Sequence, residues 1–345
     1  MKKTLIIFLL AILVSAMAAS IVYLKFRSFA ETPLSPGSTN EIVFVVKPGT
    51  LPSHVATDLA GKGLVKSRTW MKLLMRFNGR GKAIKSGEYS LSPSMSPEEI
   101  LRKLVKGGVV TYKVTIPEGY RAKEIASLLE KSGLARADRF LAVVLDKKSA
   151  AKFGIQGAPN LEGYLFPDTY RFAKGLAVSS IVSAMVDRFK KEWTRDYDKR
   201  AKELGMTMNQ VVTLASIIEK ETGDPRERPM ISAVFHSRLK KGWKLQSDPT
   251  VIYGIRNYNG NITRKDLLTD HPYNTYTRQG LPPGPIASPG GDAIRAALYP
   301  AKVPYMFFVS RNNGTHVFSV TLQEHNKAVE KWQRRYFNAK EKERH

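Results

Sequence analysis

The chain has 345 residues, 43% of them hydrophobic, and carries a formal net charge of +25. This length accommodates a membrane segment plus two domains with sizeable cores. The absence of cysteine excludes disulfides, a cysteine nucleophile and cysteine-ligated zinc. The basic charge indicates an anionic partner or surface. Long Lys/Arg runs, zinc-finger spacing and an RNP-like aromatic pattern are all missing, which argues against nucleic acid, whereas anionic lipid headgroups account for the same charge.

The first predicted element is a membrane helix. Thr4–Leu24 contains no charged residue and would be about 30 Å long as a helix, which matches a hydrocarbon core. The alternative is a cleavable signal peptide with a small-residue site at Ala16-Met17-Ala18. We favour an uncleaved anchor because the apolar run continues past that site, and we assign residues 1–25 to a cytoplasmic tip and transmembrane anchor. The flanking positive charges are nearly balanced, so they do not give the orientation.

A strand–turn–helix pattern follows and then recurs. Residues 26–40 are rich in Pro, Gly and Ser and are predicted to be a linker. A strand at Ile42–Val46, a Pro-Gly turn and a helix from about Ser53 to Gly61 come next. The same order returns at Tyr112–Ile116 and Ala122–Lys131. The repetition predicts a small β/α module that is used twice.

Between the two copies, Lys85–Leu91 is predicted to be a strand, and Ser96 with Pro97 has the composition of a helix start. Strand–helix–helix–strand units of this size resemble LysM-like glycan-binding modules. We therefore assign residues 41–112 to a LysM-like glycan-binding module. The alternative is a generic small α+β domain.

The stretch Leu161–Tyr170 is dense in aromatic and turn residues, and Gly163 and Pro167 exclude a helix interior. Aromatic faces with interleaved carboxylates suit sugar rings, whose C–H faces stack on them. The alternative is a loop packed tightly against the core.

Three helices are predicted next, at Val178–Trp193, Val211–Thr222 and Arg228–Lys241. The middle one is preceded by a capping-box pair, Thr207 and Gln210, and followed by Gly223 as a stop. Glu219 lies within this otherwise apolar helix, where a carboxylate needs a partner or has a chemical role. On spacing alone, an ordinary Glu at the rim of the helix, paired with a Lys or Arg, is the favoured interpretation.

The following segment contains long polar and aromatic loops. Asp248 is predicted to be the N-cap of a short helix that has Pro249 at its first position. Tyr273–Tyr276 and Gly280–Ile286 form a Gly/Pro-rich stretch without helical or strand periodicity. Loops of this composition commonly line a site.

The C-terminal part returns to regular elements. Ser288–Asp292 opens a helix that reaches about Leu298. Tyr305–Ser310 and Thr315–Val320 flank an Asn-Asn-Gly turn and predict a hairpin. Thr321 then caps a final basic helix.

Several classes of chemistry lack their sequence signatures. A metal site would need His236, His271 and a carboxylate such as Asp248 or Asp270, but no H-E-x-x-H or H-x-H spacing is present. The G-x-S-x-G elbow and the Walker and Rossmann glycine patterns are also missing. We therefore expect neither a metal nor a cofactor.

Carboxylate acid/base chemistry remains. Glu219 and Glu221 are two residues apart and diverge on a helix, so they do not form the facing pair of an ordinary glycosidase. Any acid/base role therefore falls on a single carboxyl group.

Four motifs occur in one order along the C-terminal half: Ser216–Thr222, Leu245–Gly254, Tyr273–Tyr276 and Gly280–Gly290. Together with the anchor and the Leu161–Tyr170 stretch, they resemble the YceG-like family of endolytic murein transglycosylases over essentially the whole chain. The resemblance assigns residues 113–345 to the catalytic domain. Two departures, at His271 and at His236-Ser237-Arg238, concern the shape of the site.

The resemblance implies a single-pass protein of the inner membrane whose catalytic part faces the periplasm or cell exterior. It implies non-hydrolytic cleavage of MurNAc–GlcNAc bonds in nascent peptidoglycan, which leaves 1,6-anhydro-MurNAc ends and terminates strand elongation, with peptidoglycan synthases as candidate partners. The family's catalytic Glu corresponds to Glu219. We regard seven residues as candidates for binding the glycan or, equally, for pinning the loops: Gln246, Ser247, Asp248, Tyr253, Tyr273, Asn274 and Tyr276.

A single acid is sufficient for this reaction, because the C6 hydroxyl of the substrate is the nucleophile and no water has to be activated. Such a Glu219 should have a raised pKa in order to donate a proton near neutral pH. The sequence therefore predicts an α+β protein with an N-terminal transmembrane helix, a small LysM-like module and a larger catalytic domain. A non-catalytic glycan-binding scaffold and a hydrolysing muramidase are the alternatives.

Overall fold

The computed structural model describes residues 2–77 and 80–335. They form many helices and a few short strands, which confirms a mixed helix and strand protein. The chain divides into two compact units. Unit 1 comprises residues 1–112 and 171–176, and unit 2 comprises residues 113–170 and 177–345.

Unit 1 begins with a 30-residue helix, α1 (Lys2–Glu31), that is long and apolar enough to cross a membrane. The helix continues without a break past Lys25, so residues 26–31, predicted as the start of a linker, are helical. These six residues contain no Pro or Gly, and Phe26, Phe29 and Ala30 pack against the core of unit 1. Burial of these apolar side chains stabilises the extra turns.

The remaining elements of unit 1 are β1 (Ile42–Val46), α2 (Pro52–Gly61), α3 (Arg68–Phe77), a short 3₁₀ helix (Arg80–Ala83), β2 (Gly87–Leu91) and α4 (Pro97–Lys106). β1 and β2 pair antiparallel, with Phe44 opposite Tyr89. Alternate residues of both strands point into the core, as the period of two of a half-buried strand requires. The predicted start of α4 is confirmed, because Ser96 and Glu99 form a capping box.

Strand–helix–helix–strand order is observed twice along the chain. In unit 1 it is β1, α2, α3 and β2. The second copy begins with β3 (Tyr112–Thr115), α5 (Ala122–Lys131) and α6 (Ala137–Val144), and β4 (Thr169–Phe172) pairs with β3. The repeated order matches the duplicated module read from the sequence. The helices α3 and α6 were not predicted.

The other elements of the chain, all in unit 2, are α7 (Ser149–Lys152), α8 (Val178–Glu192), α9 (Arg195–Glu203), α10 (Met208–Glu221), α11 (Arg228–Lys240), α12 (Asp248–Gly254), α13 (Arg264–Leu268), α14 (Gly291–Leu298), β5 (Phe307–Ser310), β6 (His316–Ser319), α15 (Leu322–Val329) and a π-helical turn (Glu330–Arg335). The predicted hairpin is confirmed: β5 and β6 pair antiparallel. Thr321 caps α15 as predicted. Residues 336–345 of the predicted catalytic domain lie outside the described residues.

The cap of α12 differs from the prediction. Its N-cap is Ser247, and Asp248 is the first helical residue. The Ser247 hydroxyl makes no capping bond, because it donates to the carboxylate of Glu221. A tertiary contact therefore uses the Ser247 hydroxyl that would otherwise be available to cap the helix.

The aromatic stretch Leu161–Tyr170 belongs to the core of unit 2. Tyr164 and Phe166 are buried, and the Tyr164 hydroxyl donates to Asn209 Oδ1 at 3.0 Å. The Tyr164 ring meets Phe189 edge to face at 5.0 Å. These two aromatic faces are thus occupied by protein, as the tightly packed loop alternative expects.

Gly163 provides a test of how closely this stretch is packed. It has a φ of +84°, and a Cβ there would lie 2.6 Å from Pro285 Cγ and 3.3 Å from Ala287 O. We expect Gly163→Ala to lower the free energy of unfolding by roughly 2–4 kcal/mol, through left-handed strain plus overpacking. Chemical denaturation of unit 2, monitored by circular dichroism, measures the loss.

Gly157→Ala is the matched control. Gly157 has a similar φ of +74° but open space around the added Cβ. It should cost only the conformational term, about 1–2 kcal/mol. Equal losses of unfolding free energy in the two variants would show that the contact with Pro285 does not contribute to stability.

Candidate active site

Helix α10 is the central element of unit 2. It begins at a capping box in which Thr207 and Gln210 satisfy each other's backbone N–H groups, as predicted. All residues from Val211 to Ile218 are buried. The helix packs against α11 and α14, so its only acidic residues, in its last turn, are held beside other buried segments. Thr222 is extended and ends the helix one residue before the predicted glycine stop.

Glu219 is the carboxylate on one side of this last turn. Its side chain is only 6% exposed. Arg228 Nη2 donates to Glu219 Oε1 at 2.9 Å, and the backbone N–H of Gly290 donates to Glu219 Oε2 at 2.9 Å. Both carboxylate oxygens therefore have a hydrogen-bond donor. The partner expected for an ordinary rim Glu is present, although the pair is buried deeply.

Arg228 is shared among three carboxylates. Beyond its bond to Glu219, Nη2 lies 3.4 Å from Glu118 Oε2, and Nη1 lies 3.8 Å from Asp292 Oδ2. The Arg228 side chain is 7% exposed, whereas Glu118 and Asp292 are 49% and 73% exposed. The cluster thus has a buried pair, Glu219 and Arg228, and two carboxylates that reach solvent. Since three acidic groups face one guanidinium, a proton can be held within the cluster at little electrostatic cost.

The pKa of Glu219 is raised above its ordinary value. Burial is the main cause, because the charged form loses its hydration. The Gly290 N–H and the Arg228 guanidinium oppose the shift, the negative charge of Glu118 reinforces it, and Lys220 opposes it weakly. The direction is the one expected from the sequence for a carboxyl group that acts as an acid.

Two loops meet at this carboxylate. The backbone N–H of Gly119 donates to Ser288 O at 2.8 Å, and the N–H of Ser288 donates to Tyr120 O at 2.8 Å. A Cβ at Gly290 would collide with the Glu118 carboxylate, which would have to move aside. The paired loops thus bring the Gly290 N–H to Glu219 and Glu118 to Arg228.

Glu221 faces a different set of groups, as its spacing from Glu219 predicts. Ser247 Oγ donates to Glu221 Oε1, with Arg238 and Asp248 nearby. Burial raises the pKa of Glu221 to about 7; Ser247 and Arg238 oppose this shift and Asp248 adds to it. This carboxyl group is therefore a second titratable centre near neutral pH.

The Gln246–Asp248 segment lies beside Glu221. Gln246 adopts a left-handed φ of +52°, and its N–H donates to Thr275 O at 3.1 Å. The Ser247 N–H donates to Thr275 Oγ1 at 3.0 Å. Asp248 Oδ1 accepts from the Tyr276 hydroxyl at 2.6 Å. Gln246 and Asp248 are exposed, whereas Ser247 is buried.

Tyr253 and Tyr273 form a separate aromatic group. Their ring centroids are 4.7 Å apart, and the Tyr253 hydroxyl donates to Glu162 Oε2 at 3.3 Å. Glu162 also accepts from the Ala122 N–H at 2.8 Å. Burial raises the pKa of Glu162 to about 7, against these hydrogen bonds and the charge of Arg121.

Asn274 holds its own loop. Its side chain is buried, its Nδ2 lies within 3.2 Å of the carbonyl oxygens of Asp266, Leu267 and Thr269, and its Oδ1 accepts from the Tyr276 N–H. These bonds use the donors and acceptors of the amide. For Asn274 the arrangement therefore supports the loop-pinning alternative.

Five of the seven residues predicted to bind substrate thus fall into two groups. Ser247, Asp248 and Tyr276 gather around Glu221, and Tyr253 and Tyr273 gather around Glu162. The contacts of Glu219 are with residues that the sequence did not single out.

These missed residues are Arg228, Glu118 and Gly290. Gly290 lies in the Gly280–Gly290 motif and at a predicted helix start, Arg228 is the first residue of a predicted helix, and Glu118 lies in the turn between Ile116 and Ala122. The Pro-Glu-Gly segment at 117–119 and the Pro-Gly-Gly-Asp segment at 289–292 can be recognised in the sequence, but only folding brings them together.

The histidines considered for a metal site have other contacts. His236 Nε2 is 2.8 Å from Ala297 O, and His271 Nδ1 accepts from the Tyr273 N–H at 3.2 Å. Among residues 2–77 and 80–335, no group of three or more His, Asp or Glu side chains is arranged to hold a metal ion.

Taken together, a duplicated strand–helix–helix–strand plan and a buried acidic group at the end of a core helix define a protein with a carboxyl group suited to acid/base chemistry. The sequence pattern of the YceG-like family matches residues 44–331. The chain belongs to this family.

The relatives agree with this assignment. An endolytic murein transglycosylase of Bacillus subtilis is 32% identical over 315 residues, which cover 87% of each chain. An endolytic murein transglycosylase of Streptococcus pneumoniae is 30% identical over 85% of this chain, which spans 58% of that relative. The crystal structure of a putative YceG-like protein from Listeria monocytogenes is similar, with a TM-score of 0.57 and 34% identity, over 84% of this chain and 99% of that one. The predicted family and the predicted enzyme class, a lytic transglycosylase, are confirmed.

The two buried acids outside the Glu219 cluster make stability depend on pH. The pKa values of Glu162 and Glu221 rise from 4.5 to about 7 on folding. Between these values the folded chain holds protons that the unfolded chain has lost. We expect the free energy of unfolding to fall with rising pH in this interval, by up to about 1.4 kcal/mol per pH unit for each group.

Glu162→Gln and Glu221→Gln should each flatten this slope, because an amide does not titrate. Denaturant unfolding at a series of pH values measures it. Glu203→Gln, at an exposed position on α9, should keep the parent slope. Variants whose slopes match the parent would contradict the pKa assignments.

Proposed function

We propose that the chain is a membrane-anchored endolytic lytic transglycosylase that cleaves MurNAc–GlcNAc bonds of nascent peptidoglycan strands and leaves 1,6-anhydro-MurNAc ends. The observation that carries this proposal is the buried carboxyl group of Glu219, held between Arg228 and the Gly290 N–H with a raised pKa. The names of the relatives supply the substrate class.

The proposed reaction uses Glu219 twice. Protonated Glu219 first donates its proton to the glycosidic oxygen as the bond to MurNAc C1 breaks. The carboxylate then accepts the proton of the MurNAc C6 hydroxyl as that oxygen attacks C1 and closes the anhydro ring. The N-acetyl group of MurNAc stabilises the oxocarbenium-like intermediate. No water is consumed, and the enzyme ends in the protonation state in which it began.

Arg228 fits both halves of this cycle. When Glu219 is protonated, the guanidinium remains paired with Glu118 and Asp292. After proton donation, Arg228 and the Gly290 N–H stabilise the Glu219 anion. Charge-assisted hydrogen bonds that strengthen as charge develops act on the transition state.

Glycan contacts are assigned by exposure. Gln246 and Asp248 are exposed, and Tyr253, Tyr273 and Tyr276 are half-buried, so these five have surface to offer a sugar. Ser247 and Asn274 are buried and position the loops.

The remaining parts of the proposal concern location. Helix α1 anchors the chain in the inner membrane with the catalytic part on the periplasmic or exterior side, where nascent strands are available. Residues 41–112 act as a LysM-like glycan-binding module, cleavage terminates strand elongation, and peptidoglycan synthases are the candidate partners. The non-catalytic scaffold is the competing function.

Product analysis tests the reaction. The detergent-solubilised full chain is incubated with purified glycan strands, and the ends are identified by mass spectrometry. We expect anhydro ends, and we expect Glu219→Gln to form them at least about 10²-fold more slowly, because general acid catalysis is lost.

Glu203→Gln, which removes an exposed carboxylate from α9, is the control and should cleave like the parent. Reducing ends would identify a hydrolase. Absence of products with the parent chain, or full activity of Glu219→Gln, would refute the assignment.

The Glu118 charge should set the pH range of the reaction. Because Glu118 helps to raise the pKa of Glu219, Glu118→Gln should lower that pKa. The acid form of Glu219 is then lost at lower pH, so the alkaline limb of the rate profile should move towards acid. The measurement is the initial rate of anhydro-end formation as a function of pH.

Asp292→Asn removes a charge of the same sign that lies farther from Arg228 and is more exposed. It should move the limb less than Glu118→Gln does. An identical limb in the parent and Glu118→Gln would show that Glu118 does not act on Glu219.

A further inference from the structure

Helix α3 of unit 1 has two apolar faces, of which the core uses one. Met71, Leu74 and Met75 are buried in the core. Trp70, Leu73 and Phe77 lie three and four residues apart on a second face and remain at least partly exposed, with Phe77 at 72%. Exposed aromatic side chains at helical spacing indicate a surface that contacts something other than water.

This second face lies against the end of the apolar part of α1. The ring of Phe26 is 5.8 Å from Trp70 and 5.9 Å from Phe77. Phe26 follows Leu24, the last residue of the charge-free segment, by two positions. The aromatic face of α3 is therefore level with the point where the apolar segment ends.

The contact extends one turn farther into the apolar segment. Val22 lines a 350 Å³ cleft together with residues of α3: Thr69, Trp70, Lys72, Leu73 and Arg76. Because Phe29 and Ala30 of α1 also pack against the core of unit 1, α1 and α3 belong to one packed body without a flexible segment between them. If Val22 is in lipid, these residues of α3 are at the depth of the headgroups.

The charge of α3 matches such a position. The helix carries Arg68, Lys72 and Arg76 and no acidic residue. Lys72 and Arg76 border the same cleft as Trp70 and Leu73. Aromatic rings and long basic side chains are the residues that partition to the boundary between hydrocarbon and anionic headgroups.

We propose that the α3 surface, defined as Trp70, Leu73 and Phe77 with Lys72 and Arg76, docks onto the anionic headgroup layer of the membrane that α1 enters. The proposal rests on the proposed anchoring by α1. The aromatic side chains enter the interface, and the two basic side chains pair with lipid phosphates. Unit 1 is then held to the membrane at two points, which restricts its rotation about α1.

Fluorescent labels on the full chain test this docking, and the absence of native cysteine makes single-site labelling direct. Phe77→Cys and Leu73→Cys carry an environment-sensitive dye on the α3 surface, Val45→Cys carries it on an exposed apolar site of β1, and Ile12→Cys carries it within α1. The labelled chains are reconstituted into vesicles of phosphatidylcholine with phosphatidylglycerol that contain nitroxide lipid, at the headgroup level for positions 45, 73 and 77 and in the acyl chain for position 12.

We expect the labels at positions 73 and 77 to be quenched and blue-shifted, and the label at position 45 to be unaffected. Lys72→Gln should lower the docked-to-undocked ratio about fivefold, the equivalent of about 1 kcal/mol per basic residue at an anionic surface. Lys47→Gln removes an equal charge from an exposed turn and should leave the ratio unchanged.

The outcomes separate the docking from the anchoring. A quenched label at position 12 with unquenched labels at 73 and 77 overturns the docking and leaves the anchor standing. An unquenched label at position 12 overturns both. Quenching at 73 and 77 that follows the protein-to-lipid ratio, and is independent of phosphatidylglycerol, would mean that a second copy of the chain covers this face and would overturn the lipid assignment.

Discussion

The buried ion pair between Glu219 and Arg228 is the interaction on which the rest of unit 2 depends. A carboxylate at the end of a core helix is costly unless both oxygens are satisfied. Here Arg228 satisfies one oxygen and the Gly290 N–H the other. Helix α11 supplies the first donor and the residue before α14 supplies the second, so the same bonds that accommodate Glu219 hold three segments together.

The proposed role of Glu219 requires a carboxyl group that is both buried and able to exchange a proton. Burial alone favours the protonated acid, and the guanidinium alone favours the anion. Burial is the larger influence here, and the negative charge of Glu118 adds to it. The pKa of Glu219 is raised in spite of a direct ion pair.

Unit 2 contains three buried acidic side chains with raised pKa values, and they differ in their partners. Glu162 and Glu221 are also buried acids with raised pKa values, yet each is bonded to neutral hydroxyl or backbone groups and tied to the loops around it. Of the acidic residues on α10, only Glu219 is paired directly with a cation that other carboxylates share. Under the proposed function, what distinguishes Glu219 from Glu162 and Glu221 is therefore its partners, since burial is common to all three. In unit 1, α3 packs one apolar face into the core and leaves its second apolar face exposed beside α1.

Local chemistry alone determined much of this protein. The apolar α1, the capping boxes of α4, α10 and α15, the duplicated strand–helix plan and the C-terminal hairpin each follow from neighbouring residues, because caps, turns and amphipathic periods are short-range properties. Glu219 could be selected because a carboxylate stood in an apolar helix and because its surrounding motif resembled a family. The periodic pattern of α3, with buried residues at 71, 74 and 75, was also present in the sequence but was overlooked.

Only the tertiary structure decided which groups surround that carboxylate. Glu118 is 101 residues away from Glu219 in the chain, and Gly290 is 71 residues away in the other direction. No local rule brings them together. The side chain of Ser247 is a second example. Its hydroxyl could bond to the end of α12, but folding places it beside Glu221, to which it donates instead. Burial, which sets the pKa of each acid, is a property of the packed chain and is therefore absent from its residue order.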